Sequence, residues 1–475
     1  MSRINNPDSF DPDSIKTDIG TDTSRTNQTP EGDKPNAPYE PTNVELHRLQ
    51  FKHAGGILKL NDSLYSLVIT ESLFQNALTC KVELNDATEK LAELDPDGTE
   101  ELRISFSSEK NRRIDHIFSV YRVEVYPDQE SGSKGKGYQL FGISKEFMIQ
   151  STMDINRTFS GKISDFAEIV FEQVRREKRR NLPANASKNA YYNNRKLKDL
   201  HSTSGNIVLN VPGMTPFEAM KLFEKRAYNS KFSSSIFLFY EDFRGFHFAN
   251  IEQIIAEGRN NPIKYKYKPS AQIDDQKTVE GQKVISHLAF PKGKNVLDKI
   301  KSGAYASQVA EIDIINQKVD RTLLTVKENF NDFYHLDKPA ITYDKKEVID
   351  RHLNTINSTT WINKYNDGLR HKENNFGPLL TRRKFYGDSL MQQTMTCGVP
   401  GNSDLNVGMI LDLSMIETSA NKDNPEQEKK ISGKYLITEV NHQILKGKYN
   451  CTLGCNKDSF RANVTRIDDY IIGKR

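Results

Sequence analysis

Apolar residues in the first third of the chain recur at alternate positions, in short runs near 64–69, 80–84, 102–106, 117–126 and 137–143. A period of two with β-branched and aromatic residues predicts strands with one buried face. Turn formers separate the runs, at Pro96-Asp97-Gly98 and in the Gly/Ser/Lys-rich stretch 131–137. About a hundred residues of such strands predict a small antiparallel barrel or sandwich over residues 42–155.

The period then changes. Ile163, Phe166, Val170 and Val174 stand at helical spacing, predicting an amphipathic helix over 164–176. A second helix is announced by Thr215-Pro216-Phe217-Glu218. Thr215 can cap the free amides, Pro216 suits the first helical position, and Glu218 completes a capping box. Phe217, Met220, Phe223 and Ala227 supply its apolar stripe. A hairpin over 235–240 and 245–249 follows, and residues 156–278 read as a mixed α/β domain.

Strand patterning returns at 283–289, 310–316 and 321–326, and again at 395–399, 409–413, 435–445 and 449–453. The last two runs are joined by Lys446-Gly447-Lys448, where glycine can supply the positive φ of a hairpin turn. The expected class is α+β, mostly β: two small antiparallel β-barrels, over 42–155 and over 279–327 with 393–465, flank the mixed domain. Residues 328–392 read as a polar peripheral insertion containing the sole tryptophan, Trp361, and 466–475 as a tail.

Charge changes the picture at the N-terminus. Residues 1–45 hold nine acids against four bases, a balance of −5, so a chain of net +4 carries +9 beyond them. Residues 1–41 have few large apolar side chains and predict a disordered acidic arm, whose removal should leave the fold intact. A surplus of +9 over so many residues is mildly basic and lacks the dense footprint of a dedicated nucleic-acid binder. No apolar run approaches the ~20 residues of a membrane helix, and the polar start reads as no secretory signal. Four scattered cysteines form no disulfide framework and suit a reducing compartment.

Candidate chemistry is sparse. No phosphate loop, His-Glu-x-x-His, nucleophile elbow or Cys-x-x-Cys is present, so no catalytic, cofactor or metal residue is assigned. Cys451-x3-Cys455 lacks a second half-site for zinc. Asp95-Pro96-Asp97-Gly98 with Glu100 reads as turn chemistry, lacking the later ligands of a calcium loop. His47, His53, His287 and His442 lie on or beside expected strands without partners at catalytic spacing. The run Arg175-Arg176-Glu177-Lys178-Arg179-Arg180, extended by Lys188, Arg195, Lys196 and Lys198, reads as a solvated or protein-docking face. Nucleic-acid contact over 175–198 is the alternative.

Order and pattern in the C-terminal segment carry a resemblance. Residues 402–412 (NSDLNVGMILD) contain a Leu-x-x-Gly turn at Leu405–Gly408, with Val407 inside it. Residues 432–458 (SGKYLITEVNHQILKGKYNCTLGCNKD) contain a Tyr-x-Ile-x-x-Val-x-His segment at Tyr435, Ile437, Val440 and His442, then a hairpin and a closing strand. This resembles the central baseplate hub proteins of contractile-tailed phages, of the T-even type, with late-control and type VI secretion spike relatives. Asp62-Ser63-Leu64-Tyr65 opens a β domain in the matching place.

The resemblance implies a structural, non-enzymatic homotrimer in which two barrels per subunit adapt a sixfold tail tube to a threefold spike. Implied partners are further copies of itself, the central spike, the tube or tube-initiator protein and the surrounding wedge proteins, with DNA only passing through the lumen. The implied location is the virion tail, assembled in the host bacterial cytoplasm. Leu405, Val407, Gly408, Tyr435, Ile437, Val440 and His442 are the expected fold-defining or interface positions, and no cofactor is implied. A hub with an embedded peptidoglycan hydrolase, housed in 328–392, is a further alternative.

Overall fold

The computed structural model describes residues 42–53, 56–86, 90–94, 96–108, 111–127, 136–180, 197–267, 283–290, 305–313, 317–338, 359–363, 376–415 and 431–461. The acidic arm, most of the 181–198 basic extension and the C-terminal tail lie outside them.

The alternating runs of the first third form β1 (Val44–His53), β2 (Gly56–Lys59), β3 (Leu64–Ser72), β4 (Thr79–Asp86), β5 (Glu101–Ser108), β6 (Ile114–Pro127) and β7 (Lys136–Ser144). They pair antiparallel in the order β2-β1-β5-β6-β7-β4-β3. The mixed region holds β8 (Ile155–Gly161), the helix Ile163–Arg180, β9 (Leu197–Leu200), β10 (Ile207–Met214), the helix Pro216–Arg226, β11 (Phe237–Asp242), β12 (Gly245–Asn250) and the helix Ile251–Gly258. Thr215 accepts from the Glu218 amide and Glu218 reaches back to the Thr215 amide, the reciprocal cap expected from the sequence. Phenylalanines fill this region's own core: Phe217, Phe239 and Phe246 meet at centroid distances of 4.9–5.9 Å.

The remaining strands are β13 (Ile263–Tyr267), β14 (Val284–Ile285), β15 (His287–Ala289), β16 (Ala306–Asp313), β17 (Lys318–Thr325), β18 (Thr359–Asn363), β19 (Gln393–Pro400), β20 (Ile410–Met415), β21 (Gly433–Leu445) and β22 (Lys448–Lys457). Lys446 (φ +48°) and Gly447 (φ +77°) make the two-residue turn between β21 and β22, a pair of positive φ values matching the twist of a tight hairpin.

β21 pairs with β22 on one edge and with β20 and β3 on the other, at its two ends. N-terminal and C-terminal strands therefore share one 14-stranded sheet, an open path from β14 to β2 with β15, β19 and β22 branching from it. One continuous apolar core follows, from Leu49 and Phe51 through Ile69 and Val82 to Leu411, Ile437 and Leu453. β16, β17 and β18 form a separate three-stranded sheet. The stretch read as a peripheral insertion contributes Phe333, Leu336, Phe385, Tyr386 and Leu390 to the main core, most of them from the helix Phe376–Leu390. That helix is seated by Arg383, whose guanidinium donates to the carbonyls of Ser235 (3.1 Å), Lys225 (2.7 Å) and Ala227 (3.0 Å), where the helix Pro216–Arg226 ends.

Candidate functional site

Several polar groups converge on Asp242, at the tip of the β11–β12 hairpin. Asp242 pairs with Gly245 across a two-residue turn. Its Oδ1 accepts the amides of Arg244 (2.7 Å) and Gly245 (3.2 Å), while its Oδ2 takes Arg244 Nε at 2.7 Å. His247 stands between two carboxylates, with Nε2 2.9 Å from Asp242 and Nδ1 2.7 Å from Asp199. Burial alone would depress the imidazole's proton affinity, but Asp199 and Asp242 together hold it above the ordinary histidine value. Burial opposes ionisation of Asp242 as well. His247 and Arg244 prevail and bring it down to about 2.

This charged tip is clamped by acids on both sides. Glu241, fully buried, accepts the Leu78 amide at 2.8 Å and the Ser144 hydroxyl. In the opposite direction Glu71 of β3, also fully buried, accepts the Phe243 amide at 3.1 Å and the Val407 amide at 3.2 Å. Burial, then the charge of Asp242, pushes the Glu71 carboxyl well above its usual range, against the two amides and Arg244.

His442 faces the same spot from β21, its Nε2 3.9 Å from Glu71. Burial, aided by the Arg112 charge, lowers it to about 3, so it is a neutral imidazole. Its Nδ1 lies 2.7 Å from the Tyr449 hydroxyl. The tautomer accepting from Tyr449 carries its proton on Nε2, toward Glu71. Arg112 ties the 402–409 loop to the N-terminal strands through Ser403 and Asn406.

Of the positions expected from sequence, Val407, Gly408 and His442 meet at this junction. Gly408 donates to Ile437 O at 2.8 Å and Ile437 donates back to Met409 O at 2.9 Å. The φ of +84° at Gly408 favours glycine. Leu405 and Val440 are fully buried beside it, Val440 opposite Glu71 in the β3–β21 register. Tyr435 lies at the other end of β21, its hydroxyl donating to Ile431 O at 2.6 Å and Lys457 Nζ 5.0 Å from its ring. There a second buried pair, His335 and Asp458 at 2.7 Å, ties residues 330–338 to the end of β22.

Sequence reading missed Glu71, Glu241, Asp242 and His247. An acid inside the apolar run 67–73 was the available signal for Glu71, whereas Glu241 and Asp242 look like ordinary turn residues until their partners are seen.

Other candidates resolve into structure. Cys451 is buried against His442 Nδ1 (3.5 Å) and the Asn402 carbonyl, and no metal-holding cluster occurs among the described residues. Glu100 takes the amides of Asp97 and Gly98, and Asp97 that of Thr99, so both carboxylates serve the turn. Within the basic run, Lys178 is almost wholly buried and paired with Glu146, and Arg175 meets Glu172 at 2.6 Å. Among the described residues no helix is long and apolar enough to cross a membrane.

No protein-family model matches the chain, and no curated protein matches it. Solved structures do. A 43 kDa tail protein of prophage MuSo2 from Shewanella oneidensis is similar with a TM-score of 0.50 at 10% identity, over 87% of this chain and 99% of that one. A tail protein from Neisseria meningitidis MC58 aligns with a TM-score of 0.48 at 8% identity, over 88% of this chain and 97% of that one. An E. coli type VI secretion component aligns with a TM-score of 0.40 at 9% identity, over 89% of this chain and 79% of that one. The first of these shows the fold: this chain shares the mostly β architecture of that prophage tail protein.

Proposed function

We propose that the protein is a structural subunit of a phage-type tail baseplate, a central hub. The observation that carries this reading is the likeness to the prophage MuSo2 tail protein over nearly the whole of both chains. The hub is a homotrimer in which two barrel-like halves per subunit, 42–155 and 279–327 with 393–465, line a sixfold-like ring. One face seats the threefold spike, the other the tail tube or its initiator, and wedge proteins surround it in a virion assembled in the bacterial cytoplasm. In support, the two halves already pair edge to edge through β3 and β21, which covers strand edges that would otherwise be open to aggregation. The buried acids at the hairpin tip lock the mixed region onto both halves, as a load-carrying scaffold requires.

A non-enzymatic role fits these relations, since the histidines and acids described are engaged in holding backbone segments together. The nucleic-acid alternative loses ground because Lys178 and Arg175 are taken up by Glu146 and Glu172. Native mass determination of the full chain tests the proposal. A species at three times 54.2 kDa is expected, and a stable monomer at all concentrations contradicts it.

A further inference from the structure

The outer side of the Asp242 cluster opens into a cleft of about 450 Å³ between the β11–β12 hairpin, the helix Ile251–Gly258 and the turn at Gly408–Ile410. Its lining combines apolar side chains, such as Ile254 and Met409, with the carboxylates of Asp199 and Glu257. The two cations in reach are each paired with a carboxylate, and Arg244 keeps Nη1 free of Asp242. Arg244 gives Nε and Nη2 to Asp242, and His247 is held between Asp199 and Asp242. His201, also in the lining, accepts the Asn250 amide on Nδ1 at 3.0 Å, and burial lowers its proton affinity. Asp199 spends Oδ2 on His247, a hydrogen bond that draws its carboxyl below the ordinary range.

Tyr240 is the independent observation. It is 2% exposed, stacks on His247 at 4.7 Å, lines the cleft, and its hydroxyl makes no hydrogen bond to any described residue. A Cβ at Gly408 would stand 3.5 Å from that hydroxyl, an ordinary contact distance, which places the Gly408 turn directly beside it. The Tyr240 ring is buried while its hydroxyl opens on the cleft, where a ligand atom can satisfy it.

We propose that this cleft binds an alkyl ammonium or alkyl guanidinium group. Its charge would be met by Asp199 and Glu257, its stem would lie along Ile254 and Met409, and Tyr240 would contribute a neutral hydrogen bond. Carboxylates beside an apolar wall suit a cation carried on an aliphatic chain. An anion would meet the carboxylates of Asp199 and Glu257, while the charges of Arg244 and His247 are each offset by a neighbouring acid. The cation could come from a lysine or arginine of a partner protein or from a free polyamine.

Calorimetric titration of the full chain with N-acetyl-arginine-N-methylamide and with agmatine tests this, using the citrulline analogue as the uncharged control. Saturable binding of at least one cation, weakened by salt and absent for citrulline, is expected. Glu257→Gln, at an exposed helix position, should weaken it about tenfold or more, and Asp199→Asn likewise. Preference for the arginine amide points to a partner side chain, and preference for agmatine to a free polyamine. No saturable binding of either cation, citrulline binding as well as arginine, or full affinity in Glu257→Gln overturns the proposal. None of those results bears on the hub reading, which rests on the fold.

Discussion

Glu71 Oε2 accepts the backbone N–H of Val407 at 3.2 Å across 336 residues of chain, while its Oε1 takes Phe243. One side chain thus joins β3, the mixed region's hairpin and the C-terminal loop. Glu71→Ala strips the buried Val407 amide and the part-buried Phe243 amide of their acceptor and should cost about 2–5 kcal/mol. Glu71→Gln keeps one carbonyl acceptor but sets its NH2 against the other backbone N–H, so it should cost less than alanine while losing one of the two bonds. Urea unfolding of the two variants checks the ranking; equal costs would mean that Glu71 does not organise the junction.

Lys178 and Glu146 form an ion pair with both side chains almost wholly out of water. Lys178→Ala strands the Glu146 carboxylate and should destabilise by about 3–5 kcal/mol. Replacing both, as Lys178→Met with Glu146→Leu, should recover most of that loss because the desolvation cost disappears with the charges. A double-mutant cycle by chemical denaturation reads the coupling, and additive losses would contradict it.

Glu224 supplies a pH dependence. Burial raises its carboxyl to about 7, against the Phe239 amide it accepts and nearby lysines. The folded state holds this proton where the unfolded chain, titrating near ~4.3, has released it. Its contribution is therefore complete at low pH and is lost as pH climbs from about 4.5 through 7, by an amount on the order of 3 kcal/mol. Glu224→Gln should flatten that part of the stability profile, and an unchanged slope would place the titration elsewhere.

Arg383 reads three carbonyls with a planar fork. Arg383→Ala should cost about 2–4 kcal/mol and loosen the helix Phe376–Leu390, seen as faster amide exchange there. Arg383→Lys should rescue little, since an ammonium lacks the fork.

How much of this was legible depended on whether the signal was local. Alternation at 64–69 and 435–445 and the Thr215–Glu218 box each lie within a few residues, and all form as read. β1, whose polar residues are interleaved with Leu46, Leu49 and Phe51, and β13, a pentapeptide with two lysines, gave no distinct run. Their strand character comes from neighbours far along the chain. The helix Phe376–Leu390 looked polar and peripheral because only one stripe, Phe385, Tyr386 and Leu390, enters the core. The junction was half visible. Leu405, Val407, Gly408 and His442 drew notice from their spacing. Glu241, Asp242 and His247 did not, because the partners that give buried charges their meaning lie elsewhere in sequence.

The pairing of β3 with β21 has a consequence for biosynthesis. β3 leaves the ribosome some 360–380 residues before the strand that covers its edge. Through most of translation the nascent chain must carry Leu64–Ser72 as an open template for pairing with other chains. Messages truncated before codon 433 should accordingly yield aggregates rather than a soluble N-terminal fragment.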